Sequence, residues 1–155
     1  WGWDWASEKD KYLHPKYAPV NRYAEDIIGC LNNQVDGWVD WNMVLDRQGG
    51  PNWFKNWCVA PIIVDAENDE VYFTPLYYVM AHFSKFIRPG AIKIGCEVNN
   101  KDLKVTAVQN LDKSIALVIF NPTAAKHTLE IQINNQNTVI SIDAKALQTV
   151  CIELK

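Results

Sequence analysis

Two fold classes follow one another along this chain, α/β over residues 1–90 and all-β antiparallel over residues 91–155. Three observations predict this. First, residues 20–34 and 74–86 carry apolar side chains at helical spacing, with short β-branched runs between them. Second, Arg88-Pro89-Gly90 interrupts that pattern. Third, six β-rich runs follow, separated by Asn-, Asp- and Pro-containing turns at the spacing of an antiparallel sandwich.

Taken in order, residues 1–19 are aromatic and polar, and Pro15 and Pro19 mark irregular backbone. A helix is expected over Val20–Gln34. Tyr23, Ile27 and Leu31 share one face with Ile28 beside them, Glu25 and Asp26 suit the positive end of the helix dipole, and Asn32-Asn33 is the stop. A strand is expected over 35–42, then a long Gly-rich loop. Ala60–Asp65 reads as a second strand and Glu67–Glu70 as a polar turn before Val71-Tyr72-Phe73. Thr74-Pro75 opens a second helix to Phe86, with Thr at the N-cap and Pro in the first turn. The strands of the second part are expected at Ile92–Val98, Leu103–Gln109, Ile115–Asn121, Thr128–Asn134, Thr138–Ile142 and Gln148–Leu154. Leu129, Ile131 and Ile133 alternate with Glu130 and Gln132, the period of a half-buried strand.

Composition narrows the function classes. The net charge of −3 argues against a nucleic-acid or membrane-surface protein. No apolar run approaches the ~20 residues of a membrane span. Cys30, Cys58, Cys96 and Cys151 are widely spaced in apolar contexts, so neither a zinc nor a redox pair is expected, and no metal or cofactor is assigned. The opening Trp1-Gly2-Trp3-Asp4-Trp5 has no initiator Met and no basic n-region, the look of a processed or truncated start. The residues themselves assign no compartment.

The chemistry concentrates in Gly37–Asn56, GWVDWNMVLDRQGGPNWFKN. Indoles alternate there with Asp40, Asn42, Asn52 and Asn56, so flat apolar surfaces sit beside hydrogen-bonding groups. A sugar ring, with an apolar C–H face and a rim of hydroxyls, needs that pairing. The bland alternative is that each Trp is an ordinary core residue. For Trp38, which alternates with the strand, core is the better reading. His82, among Tyr78, Phe83 and Phe86, reads as a packed histidine, because no second ligand stands at metal spacing.

The pattern Gly37-Trp38-x-Asp40-Trp41-Asn42-x-x-Leu45-Asp46-x-x-Gly49-Gly50-Pro51-Asn52-Trp53-x-x-Asn56 resembles the signature near the last barrel strand of glycoside hydrolase family 30, most closely its glucosylceramidase-like branch. The resemblance is co-linear on both sides. Tyr23-Ala24-x-Asp26-Ile27-Ile28-Gly29-x-Leu31-Asn32-Asn33 resembles the penultimate barrel helix. Ala60–Asp65 and His82-Phe83-Ser84-Lys85-Phe86-Ile87-x-Pro89-Gly90 resemble the approach to the last helix and that helix itself. The implied architecture is the C-terminal end of a (β/α)8 TIM barrel over 1–90 followed by most of an antiparallel β-sandwich over 91–155. The partner it implies is the N-terminal part of the same barrel, which would supply the strands that 1–90 lacks. The implied compartment is secreted, periplasmic or lysosomal.

By the same resemblance the reaction is retaining hydrolysis of a β-glucoside or glucosylceramide-like substrate by two glutamates, whose carboxyl groups such chemistry holds about 5–5.5 Å apart. The acid/base is implied upstream of Trp1. Ala6-Ser7-Glu8 resembles the nucleophile's context, which makes Glu8 the candidate nucleophile. The distance in sequence from Glu8 to Tyr23 is shorter than the family's, and Lys9-Asp10 stands where a small residue and Cys are expected, so a loop role for Glu8 stays open. Trp41 matches the apolar wall of the glucose subsite and Asn56 a polar residue at its rim. Asp40 is read as supporting the loop, and Asn52 and Trp53 as holding it rather than touching sugar. Two other readings remain: a non-catalytic carbohydrate-binding protein built on a β-sandwich, and a catalytically dead member of the family.

Overall fold

The computed structural model describes residues 17–153 except Asn56 and Asn135, with side chains from residue 20 onward. These residues fall into two compact units. One holds residues 17–23 together with Gly37–Ala81; the other holds Ala24–Asp36 and residues 82–153.

Helix α1 (Tyr17–Asn32) runs through the first described stretch. Tyr23, Ala24, Ile27 and Ile28 are buried, the 3.6-residue stripe that the spacing predicts. The helix begins three residues before the expected start, so Pro19 lies inside its first turn. A proline is tolerated there because the first amides have no intrahelical acceptor. The same shift leaves Glu25 and Asp26 in mid-helix rather than near the dipole's positive end. The C-terminus closes as a Schellman motif: the Val35 amide donates to the Cys30 carbonyl at 3.1 Å and the Gln34 amide to Leu31 at 3.2 Å, with Gln34 left-handed at φ 63°.

The first unit is built on a three-stranded sheet ordered β1-β2-β3. Strand β1 (Val44–Asp46) pairs in parallel with β2 (Ile62–Asp65), Leu45 opposite Ile63, and β2 pairs antiparallel with β3 (Glu70–Phe73). Leu45 and Ile63 form its buried middle. The strand expected over 35–42 is not formed: among the described residues the ladder beside β2 begins only at Val44. The reason is that a strand needs a hydrogen-bonding neighbour, which alternation in sequence cannot supply. The period of two persists without a ladder, Trp38 and Asp40 half-buried between exposed Val39 and Trp41.

Helix α2 (Pro75–Ser84) starts where Thr74-Pro75 predicts. The Thr74 hydroxyl, however, does not cap it. It lies 3.0 Å from the Pro61 carbonyl oxygen and 3.2 Å from that of Ala60, while the Thr74 amide donates to Pro61 at 2.9 Å. Thr74 therefore ties the chain entering α2 to the start of β2.

The second unit carries six strands. A four-stranded antiparallel sheet is ordered β4 (Ile92–Lys93), β5 (Lys104–Gln109), β6 (Ile115–Phe120), β9 (Leu147–Ile152); β7 (His127–Ile133) and β8 (Gln136–Ile142) form a separate hairpin. Every pairing is antiparallel. Leu103, Ala107, Leu117, Ile119 and Ile142 make the core, with Leu129, Ile131 and Ile140 of the hairpin packed onto it. Two apolar faces thus meet as a sandwich. Strand β6 is buried along its whole length, as a central strand covered on both faces must be. The first expected strand, 92–98, shrinks to two residues.

Candidate functional site

The loop from Arg47 to Pro61 is held by hydrogen bonds of its backbone and of two carboxylates. Asp46 accepts the amides of Gln48 at 2.9 Å and Gly50 at 2.8 Å through Oδ1, and its own amide donates to the Gly50 carbonyl at 2.7 Å. The returning strand crosses at Cys58, whose amide donates to the Gly49 carbonyl at 3.1 Å. At the loop's base, buried Asp65 accepts Arg47 Nη1 at 3.0 Å and the Asn68 side-chain amide at 2.8 Å. The Asn68 contact foremost, together with the Arg47 charge, holds the Asp65 carboxyl below its ordinary range against the opposing effect of burial.

Trp53 was expected to hold this loop and does not. It is 95% exposed, its indole tilted against Phe54 at 5.8 Å between centroids. Phe54 is likewise exposed, at 78%, and the loop closes instead through polar contacts at Asp46, Gly49 and Cys58.

Upstream, residues 38–41 make a second, compact arrangement. Asp40 Oδ2 accepts the Tyr23 hydroxyl at 2.8 Å, and Oδ1 accepts the Trp41 backbone amide at 2.8 Å. Tyr23 meets Trp38 edge to face, 5.3 Å between centroids at 64°. Burial first, then the Asp40 carboxylate, holds the Tyr23 phenol far above its ordinary pKa, so it stays a donor at any working pH. Both oxygens of Asp40 thus each accept one of these donors, which ties the backbone at Trp41 to α1. The Trp41 indole is 81% exposed. A flat apolar surface on a hydrogen-bonded backbone is a platform on which a sugar's C–H face can stack.

Of the four residues that the sequence nominates, Trp41 and Asp40 are thus adjacent and linked. Glu8 and Asn56 lie outside the described residues. Sequence reasoning placed Tyr23 on a helix face and gave it no role at the site, since nothing local ties it to a carboxylate 17 residues away. Asp46 and Asp65 were likewise missed as loop anchors. An Asp at the end of a strand just before a polar turn was the available signal for Asp65.

His82 is half-buried in the second unit, its Nδ1 2.9 Å from the Thr149 hydroxyl oxygen. That hydroxyl donates to the His82 carbonyl at 3.2 Å, so the ring is the donor in their contact. Burial lowers its pKa. Among the described residues, no group of three His, Cys, Asp or Glu side chains is placed to hold a metal ion, and no helix is long and apolar enough to cross a membrane.

Comparison with known proteins gives this geometry a family. The TIM-barrel domain of glycosyl hydrolase family 30 matches residues 6–87, and the family's β-sandwich domain matches residues 90–150. The chain is 38% identical over 111 residues to the lysosomal acid glucosylceramidase of Mus musculus, covering 71% of this chain and 22% of that protein. Among solved structures it resembles SrfJ from Salmonella typhimurium, with a TM-score of 0.84 and 27% identity over 87% of this chain and 30% of that one. An endo-β1,6-glucanase shares the fold at a TM-score of 0.75 and 23% identity, over 83% of this chain and 30% of that one. The chain therefore spans about a fifth to a third of the length of the relatives it matches. With a barrel match and a sandwich match in tandem, this chain belongs to glycosyl hydrolase family 30, carrying the C-terminal end of its TIM barrel and its β-sandwich domain.

Proposed function

We propose that the protein of which this chain forms part is a retaining β-glucosidase acting on glucosylceramide or a similar β-glucoside. The observation that carries the reading is Trp41: an exposed indole, on a backbone held by Asp40, in a chain 38% identical to a glucosylceramidase. In this reading Trp41 is the apolar wall of the glucose subsite and Asn56 a polar group at its rim. Glu8 is the candidate nucleophile, and the acid/base glutamate comes from outside this chain. The division of labour follows the proposed domains, residues 1–90 in the barrel and 91–155 in the sandwich. The reaction would be a double displacement, with Glu8 attacking the anomeric carbon, the acid/base protonating the leaving oxygen, and water then releasing β-glucose.

The experiment uses the intact protein and an aryl β-glucoside. Proton NMR of the first product anomer should show β-glucose; α-glucose first would replace retention by inversion. Trp41→Ala should lower kcat/KM about tenfold, the order expected for losing one aromatic contact. Glu8→Gln should abolish turnover, and a variant of full activity would move the nucleophile elsewhere. Sugar binding without hydrolysis would favour the non-catalytic carbohydrate-binding reading instead.

A further inference from the structure

We propose that Tyr23 is a positioning residue for the glucoside site, acting through Asp40 to hold the Trp41 platform. The inference rests on reading Trp41 as the wall of a glucose subsite. The ladder with β2 reaches back to the Met43 carbonyl, which accepts the Ile62 amide at 3.0 Å, two residues after Trp41. A relay of two bonds ties the Trp41 backbone itself to α1. The Trp41 amide donates to Asp40 Oδ1 at 2.8 Å, and the Tyr23 hydroxyl donates to Asp40 Oδ2 at 2.8 Å. Tyr23 is only 6% exposed and sits on α1, with Trp38 against its ring at 5.3 Å.

The relay therefore runs from a helix, through a buried phenol and a carboxylate, to the amide beneath an exposed indole. Each link suits its neighbour chemically. The phenol has a single proton and aims it at one carboxylate oxygen, which leaves the other free to take the amide. A stacking wall contributes binding only when it is already in place, since ordering it on each encounter costs affinity. Without the phenol, Asp40 can turn, and the Trp41 amide loses its fixed acceptor.

The test is kinetic, in the intact protein, with an aryl β-glucoside. Tyr23→Phe keeps the ring and its contact with Trp38 and removes only the hydroxyl. It should raise KM about tenfold, the worth of a hydrogen bond to a charged group, with kcat within about twofold of wild type. That split is expected because a wall touches the glucose equally in ground and transition states. Asp40→Ala, which removes both acceptors, should do the same. The double variant should be no worse than the worse single one, because both act through one relay. Effects that multiply, a wild-type KM in Tyr23→Phe, or a loss confined to kcat would each overturn the proposal. Trp41→Ala separates it from the reading beneath it. If that variant alone loses affinity, only the positioning role falls; if it behaves as wild type, the subsite reading fails and the relay with it. Where Tyr23→Phe does not fold, Asp40→Ala decides by the same split, and an unchanged KM overturns the proposal.

Discussion

At Gly49 a Cβ would stand 2.3 Å from the Cys58 carbonyl oxygen and 2.8 Å from the Cys58 amide nitrogen, on a backbone at φ 94°. Both the contact and the torsion exclude an L side chain. Gly49→Ala should therefore destabilise the fold by about 3 kcal/mol, read from the shift in denaturant midpoint. A midpoint equal to wild type would mean that the loop can take another path. The glycine was legible as a turn from Gly49-Gly50-Pro51 alone. Its obligatory character was not, because the atom that excludes a side chain belongs to a residue nine positions later. The same limit applies at Tyr23, whose burial was visible in the helical stripe but whose bond to Asp40 was not.

Among the elements, α1 shows how a stop can be expected for one reason and made by another. Asn32-Asn33 was read as the break, and the helix does end at Asn32. The closing geometry falls instead on Gln34, a residue with a Cβ in the left-handed region at φ 63°. Glycine avoids the steric penalty there, against its greater entropy loss on folding. Gln34→Gly should stabilise the chain by about 0.5–1 kcal/mol in thermal or denaturant melts. A loss of stability would show that the Gln34 side chain contributes something its exposure does not suggest. The strands behave differently. β-rich runs bounded by turn residues located β5 to β9 within one or two residues at their ends, since each lies in a ladder with its neighbour. The same reading misplaced the first strand, where the pattern at 35–42 continues but the ladder starts at Val44.

For the whole molecule, half-buried His82, buried Asp65 and surface Asp112 act on the acid limb of stability with the same sign. Burial lowers the His82 pKa from its ordinary 6.5. As pH falls below about 6.5 the unfolded chain takes up a proton that the folded chain refuses, and stability falls until the folded pKa is passed. Asp65 is also depressed, from 3.8, first by the Asn68 side-chain amide and also by Arg47. Its contribution is complete above that value and is lost as pH falls below it. The denaturant midpoint should therefore drop from pH 7 to pH 5 through His82 and again below pH 4 through Asp65 and through Asp112, whose carboxyl Arg88 and Ser114 hold below its ordinary range. His82→Asn, whose side-chain amide nitrogen stands where the ring Nδ1 does and keeps a donor for Thr149, should flatten the first step. A wild-type drop in that variant would assign the step to another group.

Fold class and family could be read from the chain alone, because both are carried by short-range information. Side-chain period distinguishes helix from strand over a few residues, and the motif from Gly37 to Asn56 is contiguous. The aromatic character of the candidate site was legible for the same reason. Only the tertiary structure decided which groups support it: the Tyr23 hydroxyl on Asp40, Arg47 on Asp65, and the Cys58 backbone against Gly49. Each joins residues 9 to 18 positions apart whose meeting depends on how the elements pack. A hydrogen bond acts over about 3 Å, a distance that sequence separation does not encode.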